Sequence, residues 1–195
     1  MKPTTFIFIR HGEVHNPKKI LYGRQGRFNL SDKGKQEAEA AGRKLVSRAI
    51  SQIIASPMLR TRQTSKIIGN IIGVKPRYSR LLIEVRTIFE KISLTEYHGK
   101  IQVNLYSEEF VKKGQESVRE IAERMIKFVK LKARQYPGKT VLVVSHGDPI
   151  LILKAVSINR EFSWNYKRNN YLKTAEFMVV KYSQGIYEWE GNENR

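Results

Sequence analysis

The chain contains no cysteine. Disulfides, thiolate-ligated zinc and thiol nucleophiles are thereby excluded. Long apolar runs are also missing, and nothing approaches the roughly 18 consecutive residues of a membrane span. The opening stretch, Met1-Lys2-Pro3-Thr4-Thr5, carries no apolar signal segment. A cytoplasmic protein without membrane contact is the expectation. Acidic side chains are few beside basic ones, 18 against 36, which leaves a net charge of +18. Such an excess draws anions over long range. The Lys and Arg residues are spread along the chain, so the charge reads first as a basic solvated surface. A nucleic-acid partner is compatible with it but not favoured over a small phosphorylated ligand.

What is present is enough apolar material, 41% of 195 residues, for one domain with a real core over residues 1–195. Phe6 to Ile9 is an apolar run that reads as a strand buried on both faces. It stops at Arg10-His11-Gly12-Glu13. Residues 15–30, with Pro17, Gly23 and Gly26, read as a long loop over that strand end. Ser31 or Asp32 caps a helix that runs to about Arg48. Gln52 to Ala55 is a second strand, followed by Ser56-Pro57 as N-cap and first helical residue. That helix turns Thr64, Ile67, Ile68 and Ile71 to one face, and Arg60 inward one turn before Thr64. Arg77 to Leu82 reads as extended. Residues 84–116 read as short helices covering one end of the sheet. Ser117-Val118-Arg119-Glu120 is a capping box for a helix ending before Pro137. Thr140 to Val144 is the most apolar strand and stops at Ser145-His146-Gly147. Asp148 and Pro149 are read as the cap and first residue of the next helix. A basic aromatic stretch, Phe162 to Tyr171, precedes two late strands, Ala175 to Tyr182 and Ile186 to Trp189. Strands alternate with helices, so the class is α/β, a three-layer α/β/α arrangement with a mainly parallel mixed sheet.

Two strands thus end alike, in His-Gly, and a third ends beside the inward Arg60. In open α/β sheets ligands bind at the carboxyl ends of strands. If the three are neighbours, two imidazoles and two guanidiniums meet at one rim. Glycine after each histidine is expected to let a ligand approach the backbone. Helix starts add N–H donors. Such a cluster suits a phosphate with a nitrogen nucleophile beside it. Arg10 and Arg60 can neutralise the phosphoryl oxygens, so neither a metal nor a cofactor is needed. His15 and His98 read as surface residues, and Arg62 as facing solvent. Glu13 reads as a site group or as the partner of a loop Arg.

The four ordered segments resemble the histidine phosphatase superfamily, the phosphoglycerate mutase-like family. They are Arg10 to Glu13 with Asn16 beyond, Asn29 to Ala38, Ser56 to Thr64, and Val143 to Gly147. The resemblance implies a phosphoglycerate mutase-like fold and a phosphohydrolase acting through phosphohistidine on His11. It implies that Arg10, Arg60 and His146 hold the phosphoryl oxygens, with Asn16 and the Gly147 amide adding hydrogen bonds. It assigns the proton donor to Glu84; Asp148 is a less favoured donor. Tyr22, Gly23 and Arg24 stand in the loop expected to meet the substrate, Arg24 and Arg27 as cations for a second acidic group. Residues 84–116 become a cap over the site, and Trp164 to Arg168 could stack a ring of the substrate. The Gly-x-Trp-Glu-Gly run that often follows the family's acid is missing after Glu84. No arginine-rich segment of the glycolytic mutases is recognisable, which favours a phosphatase over a mutase-type phosphotransferase. A catalytically silent phospho-ligand or nucleic-acid binding module is the third reading. The sequence names neither the leaving group nor an oligomeric state.

Overall fold

A computed structural model describes residues 2–190; Met1 and residues 191–195 of the expected 1–195 domain lie outside the described residues. Six strands form one sheet in the order β3-β2-β4-β1-β5-β6. They are β1 (Thr4–Arg10), β2 (Ile50–Ala55), β3 (Pro76–Tyr78), β4 (Thr140–Ser145), β5 (Phe177–Ser183) and β6 (Ile186–Trp189). The first four run parallel, and β5 and β6 complete the sheet antiparallel. The late hairpin therefore makes the sheet mixed, as the chain order implied.

Alternation along β1 divides the core. Phe6 and Phe8 face α5 (Val118–Gln135) and α6 (Gly147–Ser157), in a cluster with Ile121, Met125, Phe128 and Ile150. Ile7 and Ile9 face α1 (Asp32–Leu45) and α2 (Leu59–Ile72), with Ala41, Leu45 and Ile68. All four strand residues are fully buried, and this two-sided burial is what a parallel sheet between helix layers requires. Ser31 caps α1 by accepting from the Gly34 amide, and Ser117 with Glu120 forms the capping box of α5. No helix among the described residues is long and apolar enough to cross a membrane.

Several local expectations are corrected. Of the stretch 77–82 only Arg77 and Tyr78 pair as strand, within Pro76–Tyr78; Arg80–Leu82 is a 3-10 turn closed by the Ser79 hydroxyl. Ser56 does not cap α2 and Pro57 does not begin it: the helix starts at Leu59 with Met58 as N-cap, and the serine hydroxyl lies 2.9 Å from His146 Nε2 and accepts from the Met58 amide at 3.5 Å. Asp148 is not a cap either. It is the second residue of α6, and its carboxylate points to Tyr106 and Lys167. Ile71 is 36% exposed, while Thr64 and Ile68 of the same face are buried. The stretch 162–171 contains a helix, α7 (Trp164–Asn170), capped by Ser163. Between β3 and α5 lie α3 (Leu94–Glu96), a π-turn at Tyr97–Ile101 and α4 (Glu108–Lys112), the expected short helices.

One crossing locks the chain where it leaves β1. A Cβ on Gly12 would lie 2.3 Å from the Gly34 carbonyl oxygen, and one on Gly34 would lie 2.0 Å from the Glu13 carbonyl oxygen. Both glycines are needed for backbone to meet backbone. Gly34 is helical, so alanine there would ordinarily stabilise by about 0.5–1 kcal/mol. Here the collision is with backbone, which cannot rotate away. Gly34→Ala is therefore expected to destabilise by about 1–3 kcal/mol, read as a lowered urea midpoint; a midpoint at or above that of the wild type contradicts the contact.

Candidate active site

Register decides the meeting of the two histidines. β1 and β4 are parallel neighbours with Arg10 opposite Ser145, so His11 and His146 leave the sheet side by side. Their ring centroids are 5.3 Å apart, at 67°. β2 flanks β4 with Ala55 opposite Val144, which brings Ser56 level with Ser145 and then Arg60 from the first turn of α2. Three strand ends thus feed one rim.

His11 is 2% exposed. Its Nδ1 lies 2.8 Å from the Gly12 carbonyl, and its Nε2 accepts from Arg60 Nε at 3.1 Å. A carbonyl on one nitrogen and a donor on the other require the Nδ1–H tautomer, so Nε2 carries the lone pair. Burial lowers the His11 pKa well below the ordinary value, and the positive charges of Arg60 and Arg10 lower it further. The ring is neutral. Thr64 steadies the same turn by accepting from the Gly12 amide at 3.1 Å.

Arg60 has no exposed surface. Its Nη2 donates to the Gly23 carbonyl at 2.9 Å and lies 3.4 Å from Glu84 Oε2, while the Tyr22 ring packs 4.8 Å from its guanidinium carbon. Arg10 donates from Nη1 to the Leu172 carbonyl at 2.8 Å and lies 5.0 Å from the Tyr171 ring centre. Its Nε is buried and has no partner. His146 Nε2 lies 2.9 Å from the Ser56 hydroxyl; its Nδ1 is 3.3 Å from Glu84 Oε2 without hydrogen-bond geometry. Burial, then Arg60 and His11, hold the His146 pKa well below the usual value. Gly147 is the first residue of α6, where an amide N–H has no acceptor within the helix.

Two carboxylates share this rim, and their surroundings drive them apart. Glu84 is raised: burial dominates, Arg60 opposes it, the Asp148 charge adds to it, and the Val85 amide and Arg10 oppose it. Asp148 is lowered. Burial pushes it up, but the Lys167 ammonium at 2.7 Å and the hydrogen bonds from Lys167 and the Tyr106 hydroxyl outweigh that.

Arg10, His11, Glu84, Gly147 and Asp148 open on a cavity of about 260 Å³, walled by Tyr22, Gly23, Leu94, Tyr97, Leu105 and Tyr171, with Lys167 at its side; Arg60 and His146 lie buried behind that lining. His98 is exposed at the mouth, and His15 and Arg62 are exposed elsewhere. Of the residues expected here, Arg10, His11, Arg60, Glu84, His146, Gly147, Tyr22 and Gly23 do come together. Asn16 does not: its amide and carbonyl both bind Ile20 and close a turn in the loop. Arg24 does not reach the cavity. Its Nε donates to the Glu84 carbonyl and its Nη2 to Glu116, which Arg124 also holds. Glu13 pairs with Ser31 and Lys33 of α1, not with a loop arginine. The two glycines serve protein packing: Gly12 meets Gly34, and a Cβ on Gly147 would lie 2.4 Å from the Tyr171 hydroxyl. Ser56, Thr64, Tyr106, Lys167 and Tyr171 were not singled out for these contacts. The last two fall in the basic aromatic stretch, but no periodicity there marks a helix.

Ligand atoms of His11, Glu84 and His146 lie within 4.8 Å of one another, a set able to hold a divalent ion. Arg10 and Arg60 border it with full positive charges, which favours an anion at the same spot.

Comparison with known proteins agrees with this geometry. The sequence profile described as histidine phosphatase superfamily (branch 1) matches residues 6–193. The protein Rv0525 of Mycobacterium tuberculosis is 33% identical over 151 residues, covering 75% of this chain and 74% of its own. A probable phosphoglycerate mutase, GpmB, of Yersinia enterocolitica is 31% identical over 149 residues, 72% and 68% of the two chains. Among solved structures, phosphoserine phosphatase from Entamoeba histolytica, in complex with 3-phosphoglyceric acid, superposes with a TM-score of 0.80 at 21% identity, over 96% and 95% of the two chains. The profile match over nearly the whole length, on a chain whose paired histidines and arginines converge as described, places this protein in the histidine phosphatase superfamily.

Proposed function

We propose that the protein is a phosphomonoester hydrolase acting through a phosphohistidine on His11, with Glu84 as the proton donor. One observation carries the reading. A single guanidinium, that of Arg60, touches His11 Nε2 at one edge and Glu84 Oε2 at another. Nucleophile and acid therefore flank the place where a phosphoryl group would sit.

The steps follow from the groups present. The phosphate dianion is received by Arg10, Arg60, the Gly147 amide and, in the tautomer in which Ser56 donates to its Nε2, the Nδ1–H of His146. Arg60 exchanges its contact with His11 for a phosphoryl oxygen. His11 Nε2 attacks phosphorus, the ester bond breaks, and the leaving oxygen takes its proton from Glu84. Water then attacks the phosphohistidine, giving its proton to the Glu84 carboxylate, and phosphate departs. Two guanidiniums supply the charge stabilisation a metal would otherwise provide. Asp148, held ionised by Lys167, has no proton to give near neutral pH.

The Yersinia relative's name supports a second reading, a mutase-type phosphotransferase. A mutase must also hold an acidic group on its substrate. Of the two cations expected for that task, Arg24 is engaged by Glu116 and the Glu84 carbonyl and Arg27 is exposed, and neither lines the cavity, which favours the hydrolase.

Hydrolysis of p-nitrophenyl phosphate is expected to continue undiminished in EDTA. An acid-labile radiolabel should form on the wild type and be absent from His11→Ala. Strict dependence on a bisphosphoglycerate primer would instead establish the mutase, and absence of both label and hydrolysis a silent binding module.

The pH dependence follows from the two shifts. His11 must be neutral, and its lowered pKa keeps it so well into the acid range. Glu84 must be protonated for the first step, and its raised pKa extends that form upward in pH. The rate of phosphohistidine formation should therefore hold at mildly acid pH and fall as pH rises through the Glu84 pKa. Glu84→Gln is expected to lose about 10²–10⁴ in kcat/KM and, with it, the alkaline limb. A Glu84→Gln profile with that limb unchanged would assign the acid to another group.

A further inference from the structure

The cavity is charged where it meets the phosphate place and apolar over much of the rest. Two Lys or Arg side chains line it. Arg10 borders the phosphate place, and Lys167 is held by Asp148 at 2.7 Å. Beyond the groups around the phosphate place, the lining includes Ile20, Leu21, Val85, Leu94, Tyr97 and Leu105. Thr87 and Gln102 add neutral polar groups, and His98 stands exposed at the mouth. Val85, Tyr97 and Leu105 are buried, and Ile20, Leu21 and Leu94 half-buried.

This wall is built from two segments that hold each other. Ile20 and Leu21 belong to the loop after β1; Leu94 and Tyr97 belong to α3 and the π-turn behind it. The Leu21 amide donates to the Ile92 carbonyl at 2.9 Å, the Lys91 amide to Leu21 at 2.8 Å and the Leu94 amide to Lys19 at 2.7 Å. The apolar surface is thus in place before a substrate arrives. A hydrocarbon leaving group placed against it leaves water at a gain of about fourfold in affinity per methylene. A second anionic group there would lose its hydration without gaining a cation. It would also be repelled: burial, then the charges of Asp148 and Glu84, raise the Tyr97 pKa. The net charge of +18 draws every phosphate ester from a distance and does not choose among them. Resting on the hydrolase reading above, we propose that the leaving group is an uncharged, largely apolar alcohol, and that this wall selects it against leaving groups carrying a second negative charge.

Ethyl phosphate, hexyl phosphate and 3-phosphoglycerate, the compound in the Entamoeba phosphatase complex, test this. All three are esters of primary alcohols, so the bond broken is alike. In the wild type hexyl phosphate should exceed ethyl phosphate in kcat/KM by about tenfold or more, and 3-phosphoglycerate should fall below ethyl phosphate by about tenfold or more. Leu94→Lys sets an ammonium in the wall, and the ratio of hexyl phosphate to 3-phosphoglycerate should then drop by about tenfold or more. If that variant does not fold, Leu94→Ala should lower the ratio of hexyl to ethyl phosphate by about threefold or more. A general loss of activity cancels in these ratios, so a merely structural role leaves them unchanged. A smaller wild-type preference in either comparison, or a smaller change in the folded variant, overturns the proposal. Continued hydrolysis of p-nitrophenyl phosphate, with the label on His11, leaves the hydrolase reading intact in that event. Failure to hydrolyse any of these esters overturns both.

Discussion

A guanidinium without any exposed surface sits at the centre of this fold. Moving such a charge out of water costs several kcal/mol even after the protein relaxes, unless hydrogen bonds and an opposite charge surround it. Arg60 has them: the His11 ring, the Gly23 carbonyl and the Glu84 carboxylate, with the Tyr22 face alongside. These come from two stretches besides its own, so satisfying one buried cation holds the loop after β1, the start of α2 and the segment after β3 together. The same contacts that make the burial tolerable also set His11 and Glu84 at two edges of one guanidinium.

The sheet makes that arrangement repeatable. Parallel pairing of β1 with β4 brings two His-Gly turns to one height, and the Gly12–Gly34 crossing prevents the first from drifting. Tyr171 closes on Gly147 in the same way on the other side. Rigidity here has a chemical consequence. The Gly12 carbonyl can select the His11 tautomer only if the backbone that carries it cannot swing away.

Glu84 and Asp148 illustrate how surroundings divide labour between like groups. Both are enclosed, and each carries a carboxylate on the same cavity. Lys167 and Tyr106 hold one below its ordinary pKa, while burial and the charge of the first raise the other. Pairs of titratable groups driven in opposite directions mark acid and acceptor roles. The ionised member thus adds to the upward shift of its neighbour.

Much was legible in the chain itself. Apolar runs ending in His-Gly, the capping serines at 31 and 117, and the helical phase of Arg60 against Thr64 depend on local periodicity and local hydrogen bonding, which adjacent residues determine. These were enough for the strand and helix order and for the meeting of Arg10, His11, Arg60 and His146 at one rim. The partners of single polar side chains were not legible. Asn16 closing on Ile20, Arg24 tied to Glu116, Ser56 turned to His146 and Asp148 gripped by Lys167 all had other local readings. A hydroxyl or carboxylate near a helix start can cap it or reach across space, at comparable free energy, and only the packed structure shows which donor arrives. The amino-acid order alone therefore determined the framework and the chemical kind of the site. Tertiary packing decided which of its polar groups face the cavity, because long-range contacts between α7, the cap segment and the strand ends set that competition.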